Sequence, residues 1–260
     1  HAQGWKHYLH SISYVVSILI QLSNAERETI TLNSETILDL SPTLRAILCH
    51  SVANMRVLCL HGQGASPEIM ESQTSSFRAF LPPTWTFDYL EAPNDSAPGP
   101  GIEGVYPPPH YCFFDWYTPE QMREAVEYLR EVIEEDGPYD AIMGFSQGAS
   151  VTASLLAQSA GNIKFAVFIC AALIPPSSAT ADELAKTIGS FGHIDVPTLH
   201  VIGQQDICYN QSRQLSKTCE QSLTQVVFHS GGHDVPRDDV NSRKIASGIE
   251  KCAKKALSQF

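Results

Sequence analysis

Long apolar runs, cationic charge and paired cysteines are all scarce in this chain, and each scarcity narrows what it can be. The apolar stretch from Ile12 to Leu22 is broken by Ser13 and Ser17, and at about a dozen residues it is too short to cross a bilayer. It follows Lys6 and His7 as a signal-peptide core would, yet no small-x-small cleavage site clearly follows. Residues 1–54 therefore read as an amphipathic extension, with a helix over Thr31 to Leu48 and no catalytic role. Lys and Arg number 17 against 28 Asp and Glu, a formal net charge of -11. A chain this acidic repels polyanions, which argues against nucleic-acid and anionic-membrane partners. The seven cysteines, Cys49, Cys59, Cys112, Cys170, Cys208, Cys219 and Cys252, are scattered and show no CxxC spacing. That argues against a disulfide scaffold and a zinc site, and points to buried free thiols in a reducing, cytoplasmic compartment. No cofactor or metal is implied.

What is present centres on Tyr139 to Ser150. The apolar run Ala141-Ile142-Met143 reads as a buried strand, Gly144-x-Ser146-x-Gly148 as a tight turn, and Ala149 to Ala160 as a small-residue helix. Strand, turn and helix in that order are the setting of a nucleophile elbow, in which a strained one-residue turn lifts a serine hydroxyl above a sheet. Side chains at positions 144 and 148 would collide with the neighbouring strand and helix, hence the two glycines.

The remaining chain, 55–260, alternates strands with helices, which implies one α/β domain with a mostly parallel sheet. Arg56 to Leu60 is a buried strand followed by His61-Gly62-Gln63-Gly64. A turn there can offer a backbone N–H to an oxyanion; Gln63 is assigned as one donor and Gln147, just after the serine, as the other. His61 braces this loop through hydrogen bonds. Pro67 to Phe80 reads as a helix and Thr86 to Leu90 as a strand. Asn94 to Tyr117 is a long connection rich in proline, glycine and aromatics. Those aromatics either line a pocket for an apolar acyl group or anchor the loop to the core; Tyr106, Phe114 and Trp116 are the candidate substrate contacts. Thr118-Pro119-Glu120-Gln121 reads as a capped helix start with Gln121 completing a capping box, and Gly137-Pro138 as its stop. Phe165 to Cys170 is a further strand, and Leu173 and Ile174 beyond it stand on the side where ligands bind in open parallel sheets.

Two later strands end in Gln204-Gln205-Asp206 and in His229-Ser230-Gly231-Gly232-His233. Serine, acid and histidine then occur in the order Ser146, Asp206, His233, each beyond a strand end, which is the chain order of α/β-hydrolases. His233 would take the proton of Ser146, and Asp206 would hold the imidazole in the useful tautomer. His229 lies inside its strand pattern, Asp195 precedes a strand, and Asp234 is too close to His233 to orient it.

From Met55 to about Leu257 the chain resembles the FSH-type serine hydrolases, the family of the human ovarian-cancer-associated serine hydrolase. The resemblance rests on Val57-Leu58-Cys59-Leu60-His61-Gly62, Asp136-Gly137-Pro138-Tyr139-Asp140, Gly144-Phe145-Ser146-Gln147-Gly148, Gly203-x-x-Asp206 and Gly231-Gly232-His233-x-x-Pro236. Pro98-Gly99-Pro100-Gly101 and Tyr106-Pro107 look more like the fungal branch. That branch includes trans-acting thiohydrolases which release polyketides from a synthase carrier domain. The resemblance implies Ser146, Asp206 and His233 as the triad, and an apolar acyl ester or thioester as substrate. Carrier domains are usually acidic, so docking one would need a local basic patch; Arg213, Lys217, Arg237, Arg243 and Lys244 are the candidates. A general carboxylesterase needs no such patch, and a ligand-binding protein on the same fold is the remaining alternative.

Overall fold

The computed structural model describes residues 54–173 and 192–259. The N-terminal extension up to residue 53, with the helix expected within it, and Ile174 lie outside them. Eight strands and five helices follow in chain order among the described residues: β1 (Arg56–Leu60), α1 (Pro67–Arg78), β2 (Thr86–Leu90), β3 (Asn94–Asp95), β4 (Tyr111–Cys112), α2 (Pro119–Asp136), β5 (Ala141–Phe145), α3 (Gln147–Gln158), β6 (Phe165–Ile169), β7 (Thr198–Gly203), α4 (Tyr209–Thr218), β8 (Thr224–His229) and α5 (Asp239–Leu257). Six of the strands form one sheet in the order β2-β1-β5-β6-β7-β8, and every pairing within it is parallel. The structure is the α/β-hydrolase arrangement of a parallel central sheet flanked by helices.

Period-two alternation explains how one sheet serves two cores. Leu58, Leu60 and Ile142 face a core shared with Ala125, Val126 and Leu129 of α2 and with α3. Val57, Cys59, Ala141 and Met143 face the opposite core, built with Met70 and Phe77 of α1 and Ile245, Ile249 and Cys252 of α5. With both faces covered, β5 (AIMGF) and β6 (FAVFI) are buried throughout, which is why they read as unbroken apolar runs. Each fully buried Phe or Leu in these cores contributes about 2–3 kcal/mol. At the edge, β8 is half-exposed, and Val226 and Phe228 meet solvent.

Helix starts follow their local chemistry. Ser66 caps α1 by accepting from the Ile69 amide (3.3 Å), with Pro67 in the first turn. Thr118 caps α2 by accepting from the Gln121 amide (3.2 Å). The other half of the expected capping box is absent. The Gln121 side-chain oxygen accepts from the Trp116 amide (2.8 Å), while the Thr118 amide donates to the Trp116 carbonyl (2.8 Å). Gln121 therefore ties the preceding loop to α2 instead of closing on the cap. The connection from Asn94 to Tyr117 also holds more order than its composition suggests, since β3 and β4 pair as a short antiparallel ribbon.

Candidate active site

β1 lies between β2 and β5, so the chain direction of winding reverses there and a crevice opens at the carboxyl ends of these strands. Ser146 stands at that crevice, between β5 and α3. Its backbone (φ 53, ψ -114) occupies a region L-residues seldom adopt. Crowding keeps both flanking glycines bare. A Cβ at Gly144 would lie 2.6 Å from the backbone of Ala149, and one at Gly148 would overlap the Leu60 carbonyl. The Ser146 amide is held by the Ile169 carbonyl (2.9 Å).

The other two predicted side chains reach the same point. His233 Nε2 lies 2.8 Å from Ser146 Oγ, and His233 Nδ1 lies 2.8 Å from Asp206 Oδ1. The two strand-end loops that carry them are fastened to each other: the Gln204 amide donates to the His229 carbonyl (2.8 Å) and the Gln205 amide to the Gly231 carbonyl (3.0 Å). Asp206 Oδ1 also accepts from the Cys208 amide (2.7 Å). Burial opposes the Asp206 charge, yet the hydrogen bond and charge of His233, with the Cys208 amide and the Cys170 thiol, hold its carboxyl below the ordinary value. The imidazole of His233 packs 5.2 Å, centroid to centroid, from the Phe145 ring.

On the opposite side of Ser146 runs the loop after β1, so close that a Cβ at Gly62 would lie 3.1 Å from the Ser146 Cβ. Gln63, the expected donor, is the next residue along this loop. Gln147 opens α3, and the first amides of a helix have no acceptor within it. His61 is fully buried below this loop. Its Nε2 accepts from the Ala92 amide (3.3 Å), which leaves Nδ1 protonated and donating to the Gly62 carbonyl (2.8 Å). Burial lowers its pKa to about 4, so it stays neutral. The expected brace is what the geometry shows.

One role was not legible from sequence. The Gln147 side chain is fully buried, accepting from the Phe113 amide (2.8 Å) and donating to the Phe114 carbonyl (2.7 Å). It clamps the long Asn94–Tyr117 connection to the first turn of the elbow helix. A polar residue inside an otherwise small and apolar helix start was the available signal.

The expected substrate contacts separate into groups. Phe114 is 1% and Leu173 2% exposed, both packed within the core shared with α2 and α3. Trp116 is 72% exposed. Tyr106 rests on Ala65, Ile69 and Ile102, and its hydroxyl accepts from Arg237 (2.5 Å). Ile174 lies outside the described residues. Sequence reasoning passed over Ile207, which adjoins Asp206 and is 69% exposed. Of the basic candidates, Arg243 is paired with Asp239 (3.0 Å) and stacked 4.2 Å over Phe80. His229, the rival base, is buried and accepts from the Gly231 amide (3.3 Å), away from Ser146. Cys170, Asp206 and His233 each place a ligand atom within 4.8 Å of the others. The Nδ1–Oδ1 separation of 2.8 Å is shorter than two ligands of about 2.0 Å reach would leave around a tetrahedral ion, so a metal there would have to break the hydrogen bond.

A profile of the family described as Serine hydrolase (FSH1) matches residues 51–245. The chain belongs to the FSH1 serine hydrolase family. Among its relatives is Hydrolase phiM of Talaromyces stipitatus, 35% identical over 234 residues, spanning 79% of this chain and 90% of that protein. Esterase FUS5 of Gibberella fujikuroi is 34% identical over 209 residues, spanning 75% of this chain and 85% of that protein. As an FSH1 serine hydrolase with hydrolases and esterases for relatives, the protein is a hydrolytic enzyme. The crystal structure of Arabidopsis thaliana SOBER1 superimposes with a TM-score of 0.52 at 17% identity, over 76% of this chain and 99% of that one; it speaks to the fold. No helix among the described residues is long and apolar enough to cross a membrane.

Proposed function

We propose that this FSH1 hydrolase cleaves esters or thioesters of apolar acyl groups through an acyl-enzyme on Ser146. The observation that carries the reading is the unbroken relay, Ser146 Oγ to His233 Nε2 at 2.8 Å and His233 Nδ1 to Asp206 Oδ1 at 2.8 Å. With Nδ1–H donated to the carboxylate, Nε2 is the basic nitrogen and faces the hydroxyl. As Ser146 Oγ attacks the acyl carbon, its proton passes to Nε2, and Asp206 stabilises the imidazolium that forms. The tetrahedral oxyanion is received by the backbone N–H groups of Gln63 and Gln147, each worth about 3–4 kcal/mol. Nε2 then protonates the departing alcohol or thiol. Water, deprotonated by the same nitrogen, releases the acid and restores Ser146.

The apolar acyl preference is supported by Ile207, next to Asp206, and by Trp116, just before α2, two large side chains left in solvent. A carrier-borne acyl thioester is the more specific substrate we favour, in a cytoplasmic setting. Arg237, four residues beyond His233 and bonded to Tyr106, is the cation best placed to meet an acidic carrier. Matched acyl substrates differing only in oxygen or sulfur at the leaving position test this. Higher kcat/KM for the carrier-bound thioester is expected. Equal turnover of both, at every chain length, would favour a general carboxylesterase.

A further inference from the structure

Cys170, immediately after β6, has φ 47, a left-handed conformation that among the described non-glycine residues it shares with Ser146. Glycine is the residue such a position favours, so a side chain there calls for a reason of its own. The backbone supplies none: the Cys170 amide donates to the Val201 carbonyl (2.9 Å), a bond that glycine would make equally well. The reason lies in where the thiol goes. It is fully buried, with Sγ 3.5 Å from the Asp234 carbonyl and 3.9 Å from the Gly232 carbonyl. These carbonyls belong to the residues on either side of His233. His229 Nε2 stands 4.0 Å away.

A further neighbour is Asp206. Cys170 Sγ, a carboxylate oxygen of Asp206 and a ring nitrogen of His233 all lie within 4.8 Å of one another. The Asp206 side chain has no exposed surface. Its Oδ1 serves His233 and the Cys208 amide, whereas Oδ2 is buried with no aligned hydrogen-bond partner among the described residues. A buried carboxylate oxygen left without a donor is costly, and the thiol is the donor at hand.

We infer that Cys170 is a positioning residue for the relay: its S–H turns between the Asp234 carbonyl and Asp206 Oδ2, locking the acid and the histidine loop in one register. This rests on the reading of Ser146 as nucleophile. Four titratable groups face the thiol: Asp206 from the turn after β7, His229 from the end of β8, and His233 and Asp234 from the loop beyond. Burial keeps His229 below its ordinary pKa and the thiol well above its own. The thiol thus remains protonated, a neutral donor beside a carboxylate.

Without that donor Asp206 presents more of its charge to His233, and the imidazolium becomes easier to form. Cys170→Ala also releases the acid and the histidine loop from their common register, and this loss of positioning is expected to lower kcat about tenfold, the effect of one lost hydrogen bond, with KM changed by less than about twofold. The acidic limb of the kcat/KM profile should move to higher pH. Cys170→Ser, with a stronger donor, should recover kcat and move the limb back to or below that of the parent. Titrating active sites with a fluorophosphonate normalises each rate to folded enzyme, and if the alanine variant fails to fold, the serine variant carries the test alone. Limbs that coincide in parent and variants, with only the melting temperature changed, would overturn the inference and leave the nucleophile standing. A parent enzyme that takes no label at Ser146 would overturn the nucleophile reading itself, and the inference with it.

Discussion

The side-chain oxygen of Gln147 sits 2.8 Å from the backbone nitrogen of Phe113, across 34 residues of sequence. The residue whose amide is proposed to serve the oxyanion therefore also fixes the loop that walls the crevice. Gln147→Met keeps the volume and removes both buried hydrogen bonds, orphaning the Phe113 N–H and the Phe114 carbonyl. A loss of about 2–4 kcal/mol is expected, read by chemical denaturation. A loss below about 0.5 kcal/mol would show that the clamp is dispensable.

Ser146 allows strain and chemistry to be separated. Its φ of 53 with ψ -114 is a glycine-like conformation that costs a serine about 1–3 kcal/mol. Ser146→Gly and Ser146→Ala both lose the hydroxyl, but only glycine relieves the backbone, at an entropic cost of about 0.5–1 kcal/mol in the unfolded chain. The glycine variant should be the more stable of the two by about 1 kcal/mol, and neither should hydrolyse esters. Equal melting temperatures would mean that the elbow stores no strain.

Buried imidazoles set the acid response of the fold. Burial lowers the pKa of His61 to about 4 and that of His200 to about 3. Below about pH 6.5 the unfolded chain takes up protons that the folded chain refuses, so stability falls with pH from there down to those values. Asp206, whose carboxyl is held below its ordinary value, acts in the same direction at lower pH. His61 alone should account for about 2 kcal/mol of the loss between pH 7 and pH 5. His61→Gln, compared by denaturation at the two pH values, should lose less on acidification than the parent. An identical loss would assign the effect elsewhere.

Two exposed apolar side chains are testable without disturbing the core. Trp116 and Ile207 are 72% and 69% exposed, so Trp116→Ala and Ile207→Ser should alter stability by no more than about 0.5 kcal/mol. Each should raise KM for a long-chain ester by about three- to tenfold, in line with ~1 kcal/mol of lost apolar contact, and leave short acetyl esters unaffected. Uniform effects across chain lengths would place the acyl group elsewhere.

The parts of this molecule legible in its sequence share a physical cause. Strands β5 and β6 are covered on both faces, so their burial shows as unbroken apolar runs. Gly144 and Gly148 are demanded by backbone contacts that admit no side chain, so the elbow announces itself. Ser146, Asp206 and His233 follow strand ends in an order that the topology dictates. Side-chain destinations were less visible. Phe114 and Trp116 stand two residues apart, yet one fills the core and the other meets solvent. The backbone around them is held by the Gln147 clamp, across more than 30 residues, and by the Gln121–Trp116 hydrogen bond, five residues apart, contacts that composition does not encode. Gln121 itself satisfies a capping-box pattern but finds a better-placed donor in the loop. Cys170 looked like the last residue of an apolar strand; only its positive φ sets it apart.

The convergence of Ser146, His233 and Asp206 is tested most directly by intact and peptide-level mass measurement after brief exposure to a fluorophosphonate. One adduct is expected, on the peptide containing Ser146, formed rapidly in the parent and slowed by orders of magnitude in His233→Ala, since the hydroxyl then has no base. An adduct on another residue, or one that forms on Ser146 at the parent rate without His233, would contradict it.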